Sequence, residues 1–77
     1  MPLLNVRLID SETGAPIRYT PVWLDSVQTS TDQNGQARFD VPAGTYTLKV
    51  RSPLYEPYTA PATVPGTATV KLRRILL

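Results

Sequence analysis

The fold is decided by residues 31–50, which read TDQNGQARFDVPAGTYTLKV. Apolar side chains recur there at every second position in two runs, one around Phe39 and one around Leu48. Because successive side chains of a β-strand point to opposite faces, each run predicts a strand with one buried face. Asn34-Gly35 precedes the first run and is the strongest short-range signal for a hairpin, and Pro42-Ala43-Gly44 predicts a turn between the runs.

The same two-residue rhythm continues outward from this segment in both directions. Three further runs alternate in the same way, at residues 4–8, 20–24 and 68–72, and no window of a dozen residues carries a helical apolar stripe. Residues 52–61 contain three prolines, which predict a loop followed by an edge or irregular strand, because proline cannot donate to a central ladder. We therefore predict an all-β fold, a small antiparallel sandwich of six or seven strands that forms one domain over residues 1–77.

Short motifs follow one another along the chain in a fixed order, namely Val6-x-Leu8-x-Asp10, Thr13-Gly14-x-Pro16-Ile17, Thr20-x-Val22-x-Leu24, Thr31-Asp32-x-Asn34-Gly35-x-Ala37-x-Phe39, Val41-Pro42-Ala43-Gly44-Thr45-Tyr46-x-Leu48-x-Val50, a Tyr near position 55, and Val70-x-Leu72. This order resembles the carboxypeptidase regulatory-like family, whose Greek-key sandwich is prealbumin-like, that is, related to transthyretin. The resemblance spans about residues 4 to 72. It implies a non-catalytic domain that often accompanies enzymes, receptors or surface proteins, and it implies no single ligand.

The composition excludes most catalytic chemistry. The chain has no Cys and no His, so it offers no disulfide, no zinc site and no nucleophilic triad based on these residues. Its carboxylates are predicted at strand ends and turns, where they cap backbone N–H groups and stay solvated. We therefore expect no catalytic residue, no cofactor, no metal and no enzyme activity. The carboxylates considered were Asp10, Glu12, Asp25, Asp32, Asp40 and Glu56.

Several large apolar side chains are predicted to face away from the core. If Val22 and Leu24 point inward, strict alternation turns Trp23 outward, where it exposes a large apolar area. A loop from residues 53–58, a protein partner, or a sugar stacked together with Tyr55 or Tyr58 could cover it. The candidate interface residues are Ile9, Tyr19, Pro21, Trp23, Ile75, Leu76 and Leu77.

Basic side chains are predicted at outward positions of several strands. If the first, the fifth and the last predicted strands share a sheet, these bases form one positive stripe that could bind an anionic ligand. The alternative is a solvated face that prevents strand-to-strand aggregation. Nucleic acid is not expected, since the stripe lacks interleaved aromatic residues and the net charge is only +2. The stripe consists of Arg7, Lys49, Arg51, Lys71 and Arg73.

The sequence thus predicts a non-catalytic structural or interaction domain, which self-associates as a homodimer or docks to a partner protein or domain. The alternative is a module that binds carbohydrate or another anionic polymer. The chain contains no transmembrane segment, and residues 1–5 lack the basic region and long apolar run of a signal peptide. The expected location is the cytoplasm if the chain is full-length, and the cell surface or extracellular space if it is part of a longer protein.

Overall fold

A computed structural model describes residues 2–75 and contains seven β-strands in two sheets. None of these residues forms a helix long and apolar enough to span a membrane. The strands are β1 (Leu3–Asp10), β2 (Pro21–Leu24), β3 (Val27–Ser30), β4 (Gln36–Asp40), β5 (Gly44–Ser52), β6 (Tyr55–Val64) and β7 (Gly66–Leu72).

The strand order confirms the predicted sandwich with one difference in strand direction. The three-stranded sheet has the order β4-β1-β7, and the four-stranded sheet has the order β3-β2-β5-β6. Neighbouring strands are antiparallel except β1 and β7, which run parallel from Leu4–Gly66 to Asp10–Leu72. At Pro65 the chain leaves β6 and crosses to the other sheet, where it forms β7. Because β7 follows β6 along the chain and not β1, no hairpin requires it to run antiparallel to β1.

The core lies between the sheets and contains the side chains that alternation predicts to be inward. Phe39 is its largest fully buried side chain, and Val22 and Leu48 are at most 1 % exposed. The polar partners of these positions along each strand face solvent, so the two-residue rhythm is confirmed. The core comprises Leu4, Val6, Leu8, Ile17, Val22, Leu24, Ala37, Phe39, Leu48, Val50, Tyr55, Ala62, Val64, Val70 and Leu72.

The turn at Asn34-Gly35 is present, but the predicted hairpin there is wrong. It joins β3 in one sheet to β4 in the other, because β4 finds its partner in β1. The carboxylate of Asp32 accepts the N–H groups of Asn34 (2.8 Å) and Gln36 (3.0 Å). Gly35 has φ +73°, and a Cβ there would lie 2.8 Å from the carbonyl oxygen of Leu8, so only glycine fits.

The tight hairpin of the structure is instead the loop between β2 and β3, which sequence analysis missed. Leu24 pairs with Val27, so Asp25 and Ser26 form a two-residue loop with Asp25 at φ 52°. Asp tolerates this left-handed region better than most residues, which is the signal that could have identified the turn.

The proline-rich segment forms an edge strand, as predicted. The pairing of β5 and β6 is irregular between Val50 and Ser52, and a short turn at Pro53-Leu54 leads into β6, which is the last strand of its sheet. Pro57 and Pro61 lie within this strand.

Candidate functional site on the four-stranded sheet

Trp23 lies near the centre of the outer face of the four-stranded sheet. Its inward neighbours Val22 and Leu24 are fully buried, whereas Trp23 itself is only half-buried. It stands directly opposite Gln28 of β3 on one side and Lys49 of β5 on the other. The outward direction predicted for this indole is therefore the direction seen in the structure.

Backbone hydrogen bonds hold the strands that carry Trp23 and Lys49. Asp25 donates its N–H to the carbonyl of Thr47 (2.9 Å), and Thr47 donates its own N–H to Oδ1 of Asp25 (2.9 Å). Trp23 and Lys49 are the next pair but one along this antiparallel ladder, counted from Asp25 and Thr47. Because hydrogen-bonded and non-hydrogen-bonded pairs alternate, Trp23 and Lys49 also form a hydrogen-bonded pair, with Cα atoms about 5.5 Å apart. The indole and the ammonium group consequently start from neighbouring points on one face.

Two shallow depressions meet on this face. One is lined by Trp23, Asp25, Lys49 and Arg51. The other shares Lys49 and Arg51, and its remaining lining comes from Val50 and from residues 57–59 of β6, where Thr59 stands opposite Lys49. We call the surface formed by Trp23, Asp25, Lys49 and Arg51 the Trp23 face. It combines a large aromatic ring with two cations, a combination suited to anchoring an anionic partner.

The predicted companions of Trp23 do not lie on this face. Tyr55 is buried at 8 % exposure, and Tyr58 packs against the core, so neither forms a sugar-stacking platform with the indole. Residues 55–58 belong to β6, which β5 separates from β2, so the segment that could have covered Trp23 lies elsewhere.

The candidate interface residues also fail to form one surface. Ile9 is half-buried on the outer face of the three-stranded sheet, where it stands opposite Lys71. On its other side it forms an isolated antiparallel β-bridge with Pro16. The outer faces of the two sheets point in opposite directions, so Ile9 and Trp23 cannot contact one partner surface together. Tyr19, just before β2, is 71 % exposed, and Pro21 is half-buried at the start of β2.

The C-terminal segment pairs within its own chain. Glu56 donates its N–H to the carbonyl of Arg73 (2.9 Å), and Ile75 donates its N–H to the carbonyl of Leu54 (3.0 Å). These backbone bonds hold the segment beside the start of β6. Ile75 remains 37 % exposed, and Leu76 and Leu77 lie outside the described residues.

The predicted basic stripe is divided between the two faces of the sandwich. β1 and β7 share the three-stranded sheet, but β5 belongs to the other one. Arg7 and Lys71 are therefore exposed on one outer face and Lys49 and Arg51 on the opposite one, while Arg73 has already left β7. Five bases on alternating positions cannot form one stripe when their strands lie in different layers.

Arg38 is a further outward base that the predicted stripe does not include. It lies opposite Asn5 on the outer face of the three-stranded sheet, beside the strand that carries Arg7. Its outward position in the alternating run of β4 was the available signal, because its neighbours Ala37 and Phe39 are buried. Both outer faces of the sandwich are thus basic.

Asp10, Tyr55 and Arg74 form a separate polar cluster at the end of the sandwich. The Asp10 carboxylate accepts N–H groups from Glu12 (2.8 Å) and Thr13 (3.2 Å) and the hydroxyl of Tyr55 (2.9 Å). These bonds, chiefly the one from Glu12, lower the pKa of Asp10 below its ordinary value of 3.8. Asp10 is buried, so the expectation that it stays solvated is wrong.

Tyr55 responds in the opposite direction. Burial, and next the hydrogen bond to Asp10, raise the pKa of Tyr55 above its ordinary value of 10.0. The guanidinium of Arg74 lies 6.0 Å from the centre of the Tyr55 ring. The contacts of this cluster hold together the end of β1, the start of β6 and the C-terminal segment.

The other carboxylates do not come together. Asp32 and Asp25 each accept backbone N–H groups, and residues 2–75 bring no three acidic side chains close enough to hold a metal ion. The predicted role of Asp32 as a turn cap is confirmed.

Comparison with known proteins yields two similarities. The sequence model of the carboxypeptidase regulatory-like domain matches residues 4–76. S-layer protein B of Metallosphaera sedula is 38 % identical over 81 residues, an alignment that covers 96 % of this chain and 19 % of that protein. The chain thus spans about a fifth of the length of this relative.

Proposed function

This chain belongs to the carboxypeptidase regulatory-like domain family, and on that premise we propose that it is a non-catalytic structural domain of a cell-surface protein. Its role is to dock an acidic surface of a partner protein onto the Trp23 face. The family is a regulatory-like domain, and the S-layer relative is a structural protein of the surface, which supports this role and this location.

The observation that carries the proposal is the half-buried Trp23 on a solvent-facing sheet surface, between Gln28 and Lys49. An indole in this position leaves apolar area in contact with water, and each Å² removed from water on docking contributes about 25 cal/mol. Trp and Arg are the residues that most often anchor protein interfaces. Trp23 and Arg51 line the same depression, so the face already contains both kinds of anchor.

The charge of this face determines the chemistry of the partner. Lys49 and Arg51 are both exposed beside Trp23, while the carboxylate of Asp25 is bonded to the N–H of Thr47. The opposite outer face also carries three bases, namely Arg7, Arg38 and Lys71. Stacking two copies face to face would bring like charges together, which disfavours a second copy and favours an acidic surface.

Fluorescence provides a direct test, because Trp23 is the only tryptophan of the chain. Titration with a poly-glutamate peptide should shift the emission of Trp23 to shorter wavelength as the indole is buried. The double variant Lys49→Glu and Arg51→Glu should abolish the response. The matched control, Arg7→Glu with Lys71→Glu, reverses the same number of charges on the opposite face and should leave the response unchanged.

An anionic polysaccharide is the second candidate, because an indole flanked by two cations and by Thr59 can also contact a sugar ring that carries carboxylates. A response to a polyuronate but none to poly-glutamate would replace the protein partner by this ligand. No response to either probe, or an equal loss in both double variants, would refute docking at the Trp23 face.

A further inference from the structure

The free edge of β7 differs from the other edges of the sandwich in its backbone groups. β7 ends the three-stranded sheet and pairs with β1 on one side only. Within residues 2–75 no strand lies along its other side. Unpaired N–H and C=O groups along such an edge are a template for another strand.

The hydrogen bonds of β1 show which backbone groups of β7 face this edge. Leu8 donates to the carbonyl of Gly35 at the start of β4, so the even-numbered residues of β1 face β4 and the odd-numbered ones face β7. In a parallel pair those odd residues bond the even residues of β7, and the bond from Ser11 to the carbonyl of Leu72 continues this pattern. Thr67, Thr69 and Lys71 therefore direct their N–H and C=O groups to the free edge.

The corresponding edge of β6 is blocked by proline. Thr47 bonds Asp25 of the neighbouring hairpin, so it faces away from β6, and its partner Pro61 faces the free edge. Pro61 therefore leaves the middle of this edge without an N–H donor, and at the start of β6 Glu56 already donates its N–H to the carbonyl of Arg73. β7 contains no proline.

The two remaining edge strands, β3 and β4, offer fewer unpaired backbone groups. β3 has only four residues. On β4 the N–H and C=O of Gln36 are already bonded to Asp32, and Pro42 follows two residues after the strand ends. The longest unobstructed edge of the sandwich is therefore β7.

We propose that β7 pairs antiparallel with β7 of a second copy of this chain, with the two-fold axis at Thr69. In this register Thr69 stands opposite Thr69 of the second copy, and Thr67 stands opposite its Lys71. A two-fold axis at Lys71 would place the two ammonium groups opposite each other, and one at Thr67 would place Thr69 opposite Pro65. The register at Thr69 alone provides three bonded pairs and keeps the lysines apart.

The inner face supports the same register. Ala68 is half-buried and packs at the margin of the core, and it would stand opposite the buried Val70 of the second copy. The two three-stranded sheets would then form one continuous sheet of six strands. This interface goes beyond docking at the Trp23 face and uses a different surface, so either proposal can fail alone.

Sedimentation equilibrium of the chain, with Thr69→Pro compared against Thr59→Pro, tests the interface. Both substitutions remove an N–H from a free edge, one on β7 and one on β6. Thr69→Pro should weaken dimerisation at least about tenfold, because two intermolecular hydrogen bonds are lost. Thr59→Pro should leave it unchanged. A monomeric wild type at high micromolar concentration, or equal weakening by both substitutions, would overturn the proposal.

Cysteine cross-linking tests the register and does not depend on Thr69→Pro folding. The chain has no Cys, and a hydrogen-bonded pair places Cα atoms about 5.5 Å apart, within reach of a disulfide. Under mild oxidation Thr69→Cys should form covalent dimers. Thr67→Cys alone should not, but its mixture with Lys71→Cys should. Cross-linking of Thr67→Cys as fast as Thr69→Cys, or none at Thr69→Cys, contradicts this register.

Discussion

Thr31 offers the sharpest test of what holds the two sheets together. It is 2 % exposed, its Oγ1 accepts the N–H of Thr20 (2.9 Å), and its hydroxyl donates to the carbonyl of Ile17 (2.8 Å). One hydroxyl thereby satisfies two backbone groups on the segment that leads into β2. Thr31→Val has nearly the same shape and removes both bonds.

The expected cost follows from the two groups that lose their partner. A buried polar group left unsatisfied costs about 1–3 kcal/mol, so the loss of both bonds in Thr31→Val should lower the free energy of unfolding by about 2–6 kcal/mol. For a domain of this size each kcal/mol lowers the melting temperature by roughly 4–8 °C. The control Thr31→Ser keeps both bonds, loses one methyl group and should cost only about 1 kcal/mol.

Urea denaturation followed by Trp23 fluorescence measures these differences. The free energy of unfolding and its slope against urea concentration are compared among the wild type and the two variants. A Thr31→Val protein that is as stable as Thr31→Ser would refute the reasoning. It would mean that Ile17 and Thr20 find other partners or that these bonds contribute nothing to stability.

Four further predictions concern Tyr55, Asp10 and Gly35. Tyr55→Phe leaves Asp10 with one donor fewer and should lower the unfolding free energy by about 1–3 kcal/mol at neutral pH, by urea denaturation; no change would show that the hydroxyl is dispensable. The lowered pKa of Asp10 contributes stability above its ordinary value of 3.8, so melting temperatures should fall as pH drops below about 4. The raised pKa of Tyr55 contributes stability that is present below 10.0 and lost as pH rises beyond it, and Tyr55→Phe should remove this alkaline decline in thermal melts. Gly35→Ala should cost at least about 2 kcal/mol in the same urea assay, because its φ of +73° and the Leu8 carbonyl 2.8 Å away leave no room for a methyl group; a near-neutral effect would contradict the turn geometry.

The candidate site was only partly predictable. The outward direction of Trp23, Lys49 and Arg51 follows from their immediate neighbours, because alternation is a local property of a strand. That Trp23 and Lys49 stand opposite each other could not be predicted, since their strands are about 25 residues apart in sequence and pair only through the fold. For the same reason Ile9 was wrongly grouped with Trp23.

The sequence by itself determined which side chains of each strand are buried, that the fold is all-β, and that β6 is an edge. These are local consequences of a two-residue period and of proline's missing N–H. Only the tertiary structure decided how the strands are distributed between the sheets. That choice depends on how the whole core packs, and no short segment contains it. It turned the Asn34-Gly35 turn from a hairpin into a crossover between layers, divided the bases between two faces, and left β7 with a free edge.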